Sequence, residues 1–222
     1  MKILNLYAGI GGNRKLWSEE HKITAVEIND KVADVYKDNF PNDKVIVADA
    51  HQYLLDHYKE FDFIWASPPC QTHTKLVKFT RHEINIYPDL NLYQEIIFLE
   101  NFFEGKWVVE NVEPYYTPLM PAKNKVDRHL FWANFNIGNF SPPKFLGKKL
   151  KSYKGELQSY YGFSLPEKNI YFEGSHDQYK ILKNCVHPKT GEYILNCAMG
   201  VIYSNNLKQI DLFDNEKSGE SR

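Results

Sequence analysis

Cysteine is scarce in this sequence, with three in 222 residues. Cys70, Cys185 and Cys197 form no close pair, and no Cys/His cluster has zinc-ligand spacing, so neither a disulfide framework nor a metal site is expected. No apolar run approaches the length of a membrane span. The first residues, Met1 to Tyr7, are interrupted too soon for a signal-peptide core. A reducing cytoplasm, bacterial or of a phage-infected cell, is the expected setting, with no membrane partner and a monomeric state. An excess of basic charge is also missing: 27 Lys and Arg against 28 Asp and Glu leave a net charge of -1. That argues against a uniformly basic nucleic-acid binder but permits a local basic face. Two nucleotide fingerprints are absent as well. Gly9-Ile10-Gly11-Gly12 fails the pattern G-x-G-x-x-G because Arg14 stands at the last glycine, and no P-loop is present.

What is present is an ordinary globular composition, 43% hydrophobic and 25% charged, so disorder is not the default. Aromatics are abundant at 15%, which suits a core and also suits stacking on bases or a cofactor. Strand-like and helix-like segments alternate. Strands are expected at Ile3 to Tyr7, Ile23 to Glu27, Val45 to Ala48, Phe61 to Ala66 and Trp107 to Val109. Helices are expected at Asn13 to His21, Asp30 to Phe40 with Asn29 as N-cap, His51 to Lys59, and Pro88 to Phe103. This alternation predicts an α/β fold with a parallel, doubly wound sheet. The expected organisation is a main domain at 1–135, a small irregular lobe at 136–177, a segment at 178–210 packing back on the first half, and a polar tail at 211–222.

Polar and special residues fall at the carboxyl ends of the predicted strands: the glycine turn after the first, Glu27 on the second, Asp49 after the third, Ser67-Pro68-Pro69-Cys70-Gln71 after the fourth, and Glu110-Asn111 after the fifth. In an open parallel sheet this edge binds ligands. The glycines let a ligand approach the backbone, or simply make a tight turn. Glu27 suits two ribose hydroxyls, or is a solvated acid. Asp49 suits an adenine amino group, or caps the helix before His51. Together they favour a nucleoside-bearing cofactor. Cys70 follows two prolines and precedes a polar stretch, unlike a structural cysteine. Lys75, Lys78 and Arg81 follow with no acid among them, favouring a thiolate and an anionic substrate. Glu110 ends an apolar strand, where desolvation raises a carboxyl pKa and suits a proton donor; a structural pairing with a basic side chain is the alternative.

Tyr7-Ala8-Gly9-Ile10-Gly11-Gly12, Ser67-Pro68-Pro69-Cys70-Gln71 and Val109-Glu110-Asn111-Val112 resemble three ordered signatures of the DNA cytosine-C5 methyltransferases. Lys183-Asn184-Cys185-Val186 resembles the family's closing Gly-Asn-x-Val motif. The likeness covers about 1–135 and again 178–200. It implies a Rossmann-like S-adenosylmethionine-dependent sheet carrying a target-recognition lobe. It assigns Tyr7, Ala8, Gly9, Gly11, Gly12, Glu27, Ile28, Asp49, Ala50, Pro68 and Asn184 to S-adenosylmethionine. Cys70 becomes the nucleophile, Glu110 the residue on N3 of a flipped cytosine, and Asn111 the residue orienting the Cys70 loop. Arg128 is a candidate base contact. The implied reaction is methyl transfer to C5 of cytosine in double-stranded DNA, as in restriction-modification, through a Cys70–C6 adduct.

The sequence departs from the family in several places. Asn5 stands where relatives often carry Asp. Of the Gln-x-Arg-x-Arg motif only Arg128 survives, and Lys183 replaces a glycine. The recognition lobe is short, but Lys144, Lys148, Lys149 and Lys151 lie there among aromatics, a pattern that suits phosphates or a solvated loop. With Gln71, Lys75, Lys78 and Arg81 they form the expected nucleic-acid contacts. Two other readings are a tRNA cytosine-C5 methyltransferase and a catalytically silent nucleic-acid binder on the same scaffold.

Overall fold

The computed structural model describes residues 1–75, 87–145, 153–165 and 178–201. Five parallel strands form the frame: β1 (Lys2–Leu6), β2 (Lys22–Glu27), β3 (Lys44–Val47), β4 (Phe63–Ala66) and β5 (Lys106–Val112). Helices α1 (Asp30–Asn39), α2 (Ala50–His57) and α3 (Asn91–Phe102) lie between them. Two further strands, β6 (Asn124–Val126) and β7 (His129–Ala133), complete a seven-stranded sheet of order β3-β2-β1-β4-β5-β7-β6. Three more helices follow: α4 (Tyr153–Tyr161), α5 (Gln178–Lys183) and α6 (Pro188–Ala198).

This order explains why the strand ends converge. The chain leaves β1 toward β2 and β3, then crosses back to β4 on the other side of β1. The loops after β1 and β4 therefore flank the point where strand order reverses, which is where sheets of this kind open a crevice for ligands. β1 and β4 are apolar and buried almost throughout, as a strand covered on both faces must be. α2 and α3 cover one face through Leu54, Leu92, Ile96 and Leu99. On the other face α1 packs through Val32, Val35 and Tyr36, together with Leu157 and Phe163 from the lobe and Leu182 from α5.

The helix expected from Asn13 to His21 does not form; this stretch is a series of turns. Arg14 is the reason. Its side chain is 1% exposed and grips Asp43 with Nε and Nη2, at 2.8 and 3.1 Å. Its Nη1 donates to the Trp17 carbonyl at 2.9 Å, while Trp17 N donates to the Arg14 carbonyl at the same distance. The buried guanidinium thus folds the chain around itself. Asn5, fully buried on β1, exchanges amide hydrogen bonds with Asn13, at 2.8 and 3.4 Å. A neutral amide can do both, where a carboxylate could only accept.

The sheet departs from all-parallel order at one edge. β7 runs antiparallel to both β5 and β6. Its pairing carries β5 three residues past its expected end, so Glu110 and Asn111 stand within the strand, opposite Phe131 and Leu130. The part of the lobe between 136 and 177 that is described contains the regular helix α4. Asn29 caps α1 as expected, accepting from Lys31 N and Val32 N.

Candidate active site

The glycine turn begins with Tyr7 and Gly9, whose φ angles of 54° and 55° lie in the left-handed region. Tyr7 is held there by its phenol, which donates to Glu95, a fully buried carboxyl on α3. Burial, and secondarily the Glu95 charge, keep that phenol protonated. Gly9 N donates to Glu27 Oε2 at 2.9 Å, and Asn29 N donates to Glu27 Oε1 at 3.0 Å. Glu27 is thereby fixed at the end of β2.

Space around the turn is used unequally. A Cβ on Gly9 would meet nothing within 4 Å, whereas one on Gly11 would stand 2.4 Å from Phe40 and one on Gly12 would stand 2.5 Å from the Val186 carbonyl. The turn therefore opens outward at Gly9 and is packed from behind by α1 and by the segment after α5. Ala8 is buried here. Beyond Glu27, the apolar side chain of Ile28 is 65% exposed. Asp49 caps α2, accepting from Gln52 N at 2.8 Å, with Ala50 buried beside it. Asn184 is exposed in the turn after α5. An open glycine, a fixed strand-end carboxylate and an uncovered apolar residue are what a nucleoside-bearing cofactor requires.

Across the crevice, Asn111 Nδ2 donates to the Pro68 carbonyl at 3.0 Å and ties β5 to the chain just before Cys70. His73 N and Thr74 N both donate to the Cys70 carbonyl, at 3.0 and 3.1 Å, so Cys70 opens a tight turn. Gln71 is exposed on that turn. The half-buried Cys70 thiol is pushed up by burial and by the Glu110 charge, and Arg128 opposes the shift. Glu110 is 6% exposed. Burial pushes its carboxyl up to about 7, against the Ser67 hydroxyl and Arg128, which favour the charged form. The Arg128 Nη2 donates to the Lys183 carbonyl, joining the start of β7 to the end of α5.

His129, His73 and Glu95 were given no role from the sequence, and Ser67 entered only as part of its strand-end motif. Ser67 links the Trp65 indole, which donates to its Oγ at 2.8 Å, to Glu110; its place beside Pro68 was the available signal. His129 Nε2 stands 3.7 Å from Glu110 Oε1, but burial pushes this imidazole down to about 3, so the contact involves a neutral ring. His73 is wholly buried and its Nδ1 lies 2.6 Å from the Tyr116 hydroxyl. Glu95 gave no signal, being one acid on an otherwise apolar helix face. Among the expected nucleic-acid contacts, Lys75 pairs with Glu113 at 2.8 Å and Lys144 is exposed. Lys78, Arg81, Lys148, Lys149 and Lys151 lie outside the described residues.

A model of the C-5 cytosine-specific DNA methylase family matches residues 1–115. The tRNA (cytosine(38)-C(5))-methyltransferase of Spodoptera frugiperda is 38% identical over 153 residues, which cover 65% of this chain and 43% of that protein. The Homo sapiens protein of the same name is 28% identical over 117 residues, covering 46% of this chain and 30% of its own length. The chain thus spans less than half the length of these curated relatives. Among solved structures, a triple mutant of Spodoptera frugiperda DNMT2 aligns over 50% of this chain and 35% of its own, with 32% identity and a TM-score of 0.38. An S-adenosylmethionine-dependent methyltransferase from Agrobacterium tumefaciens aligns over 53% and 40%, with 16% identity and a TM-score of 0.40. With its model matching just over half of the sequence, from the glycine turn through Glu110 and Asn111, the chain belongs to the C-5 cytosine-specific DNA methylase family, whose methyl donor is S-adenosylmethionine.

Proposed function

We propose that this chain methylates C5 of a flipped cytosine in DNA through a covalent bond between Cys70 and C6. The observation that carries this reading is the joining of three parts at one sheet edge: a thiol on a tight turn, a buried carboxyl that keeps its proton near neutrality, and an amide that locks the turn to the strand bearing the carboxyl. Cytosine C5 is a poor nucleophile. Cys70 adds as thiolate to C6 while Glu110 gives its proton to N3, and the C5–C6 double-bond electrons become available at C5. S-adenosylmethionine, when bound, supplies the electrophilic methyl group. Solvent then takes the C5 proton, its bonding pair re-forms the C5–C6 double bond, the Cys70–C6 bond breaks with the sulfur keeping its electrons, and the N3 proton returns to Glu110.

Tyr7, Ala8, Gly9, Gly11, Gly12, Glu27, Ile28, Asp49, Ala50, Pro68 and Asn184 are the proposed cofactor contacts. In this reading Glu27 holds the ribose and Ile28 covers the adenine. Asn111 positions Cys70 through Pro68, and Arg128 steadies the charges of Cys70 and Glu110. A base inside a duplex cannot reach Cys70, so it must leave the stack.

A second reading is methylation of tRNA, favoured by the activity named for the curated relatives. Duplex DNA and tRNA offered side by side with labelled S-adenosylmethionine separate the two. Cys70-dependent label in DNA alone supports the first reading, and label in tRNA alone replaces it with the second. Label in neither, with cofactor bound, favours a silent scaffold.

A further inference from the structure

A cleft of about 530 Å³ opens between the segment after β5 and strand β6. Its size is within the range of small-molecule sites. Tyr116, Pro118 and Leu130 give it apolar walls, and Glu113, Lys123 and Lys125 give it charged ones. Glu113 is gripped by Lys75 at 2.8 Å and by Lys125 at 3.0 Å. Two lysines thus already answer the one carboxylate, and Lys123 adds a further positive charge to the lining. Aromatic wall and cationic rim together match a base joined to a phosphate. A purely apolar ligand would have no use for the lysines, and a simple anion none for the ring.

The cleft is built in advance. Glu113 N donates to the Arg128 carbonyl and Lys123 N to the Phe131 carbonyl, both at 2.8 Å. Trp132 Nε1 donates to the Met120 carbonyl at 3.0 Å, and Leu119 N to the Tyr93 hydroxyl at 3.1 Å. It is also tied to Cys70. Thr74 forms a β-bridge with Pro114, and Tyr115 N donates to the His73 carbonyl at 3.1 Å. The Tyr116 hydroxyl meets the buried His73 ring, whose own backbone N bonds the Cys70 carbonyl.

We propose that this cleft receives the nucleotide next to the flipped cytosine in the substrate strand, its base against Tyr116 and its phosphate at Lys123 and Lys125. The inference rests on the proposed nucleic-acid substrate. Thr74 N donates to the Cys70 carbonyl, and Thr74 is bridged to Pro114 of the cleft, so a strand that delivers cytosine to Cys70 has the cleft as its neighbour, and stacking with a cationic groove is how single strands are held.

The test uses the full chain and whichever polymer it methylates. Formation of the Cys70 adduct with 5-fluorocytosine is scored first. A 5-iodouracil base placed on either side of the target is then irradiated, and the crosslinked peptide is mapped. The expected result is a crosslink at Tyr116. Lys123→Ala with Lys125→Ala, both exposed, should weaken binding equally across sequences and reduce the log–log salt slope by about one. Ala122→Trp, which fills the cleft, should raise the substrate KM roughly tenfold with S-adenosylmethionine affinity unchanged. If the adduct forms but no crosslink reaches Tyr116, or if both variants keep the parent's KM and salt slope, the cleft is not the flanking-nucleotide site. If no adduct forms on either polymer, the substrate reading falls and this inference falls with it.

Discussion

Burial raises both Cys70 and Glu110, and the Glu110 charge raises Cys70 further. The Glu110 carboxyl ionises near 7 in the folded chain instead of near its ordinary value of 4.5. A carboxyl raised in this way costs the fold nothing while it stays protonated, below about 4.5. As pH rises through the folded value, the chain progressively loses stability because a buried charge must form. A shift of this size corresponds to roughly 3 kcal/mol. Glu110→Gln should therefore match the parent at pH 4.5 and exceed it in urea unfolding at pH 8; equal stabilities at pH 8 would show that the carboxyl is not desolvated. The same substitution should slow methyl transfer by about two orders of magnitude or more, because the N3 proton donor is gone. It should also lower the pH at which iodoacetamide alkylates Cys70, since the Glu110 charge raises that thiol. Because unfolding would also expose the Cys70 thiol, the two changes are read together with the raised stability of the same variant at pH 8. In the parent, kcat/KM should fall as pH drops below about 7, because the thiolate must form while Glu110 holds its proton.

At the level of elements, the strand ends were legible and the far edge of the sheet was not. The first five strands announce themselves as short apolar runs, each followed by a polar or glycine residue, and that pattern placed the glycine turn, Glu27, Asp49 and Cys70 along one edge. β7 is equally apolar, yet nothing in His129 to Ala133 reveals that it returns antiparallel to β5. Without that partner, β5 was expected to stop before Glu110. The turn region after β1 misled for a different reason. Its apolar spacing suits a helix, but the buried Arg14–Asp43 pair is a tertiary contact across 29 residues, and such contacts override local preference. Arg14→Met should destabilise the chain by about 3–5 kcal/mol, since it leaves Asp43 buried without its cation; Arg14→Met with Asp43→Asn should recover part of the loss. A loss below ~1 kcal/mol in urea unfolding would mean that the pair does not anchor the turn. Asn111→Ala should lower kcat with little change in cofactor affinity, because it frees the Pro68 carbonyl and with it the Cys70 turn; an unchanged kcat would remove Asn111 from the positioning of Cys70.

At the scale of the whole molecule, the two ends of the described sequence meet behind the glycine turn. Gly12 stands against the Val186 carbonyl, and Gly191 on α6 stands against the Asn13 backbone, with no room for a Cβ at either. Arg128 reaches the Lys183 carbonyl from the other side of the site. The segment after α5 thus packs against the back of the glycine turn. Gly12→Ala should push that segment away and weaken S-adenosylmethionine binding by roughly tenfold, equivalent to ~1.4 kcal/mol, as read by titration calorimetry; unchanged affinity would mean that the closing segment does not shape the cofactor site. The measurement that reaches the central proposal most directly is trapping with 5-fluorocytosine in duplex DNA and in tRNA, with S-adenosylmethionine present and Cys70→Ala in parallel. Fluorine at C5 blocks the final elimination, so a stable protein–nucleic acid adduct at Cys70, absent from Cys70→Ala, is the predicted result. Methylation that persists in Cys70→Ala, or a parent chain that binds cofactor and nucleic acid yet forms no adduct, would contradict it.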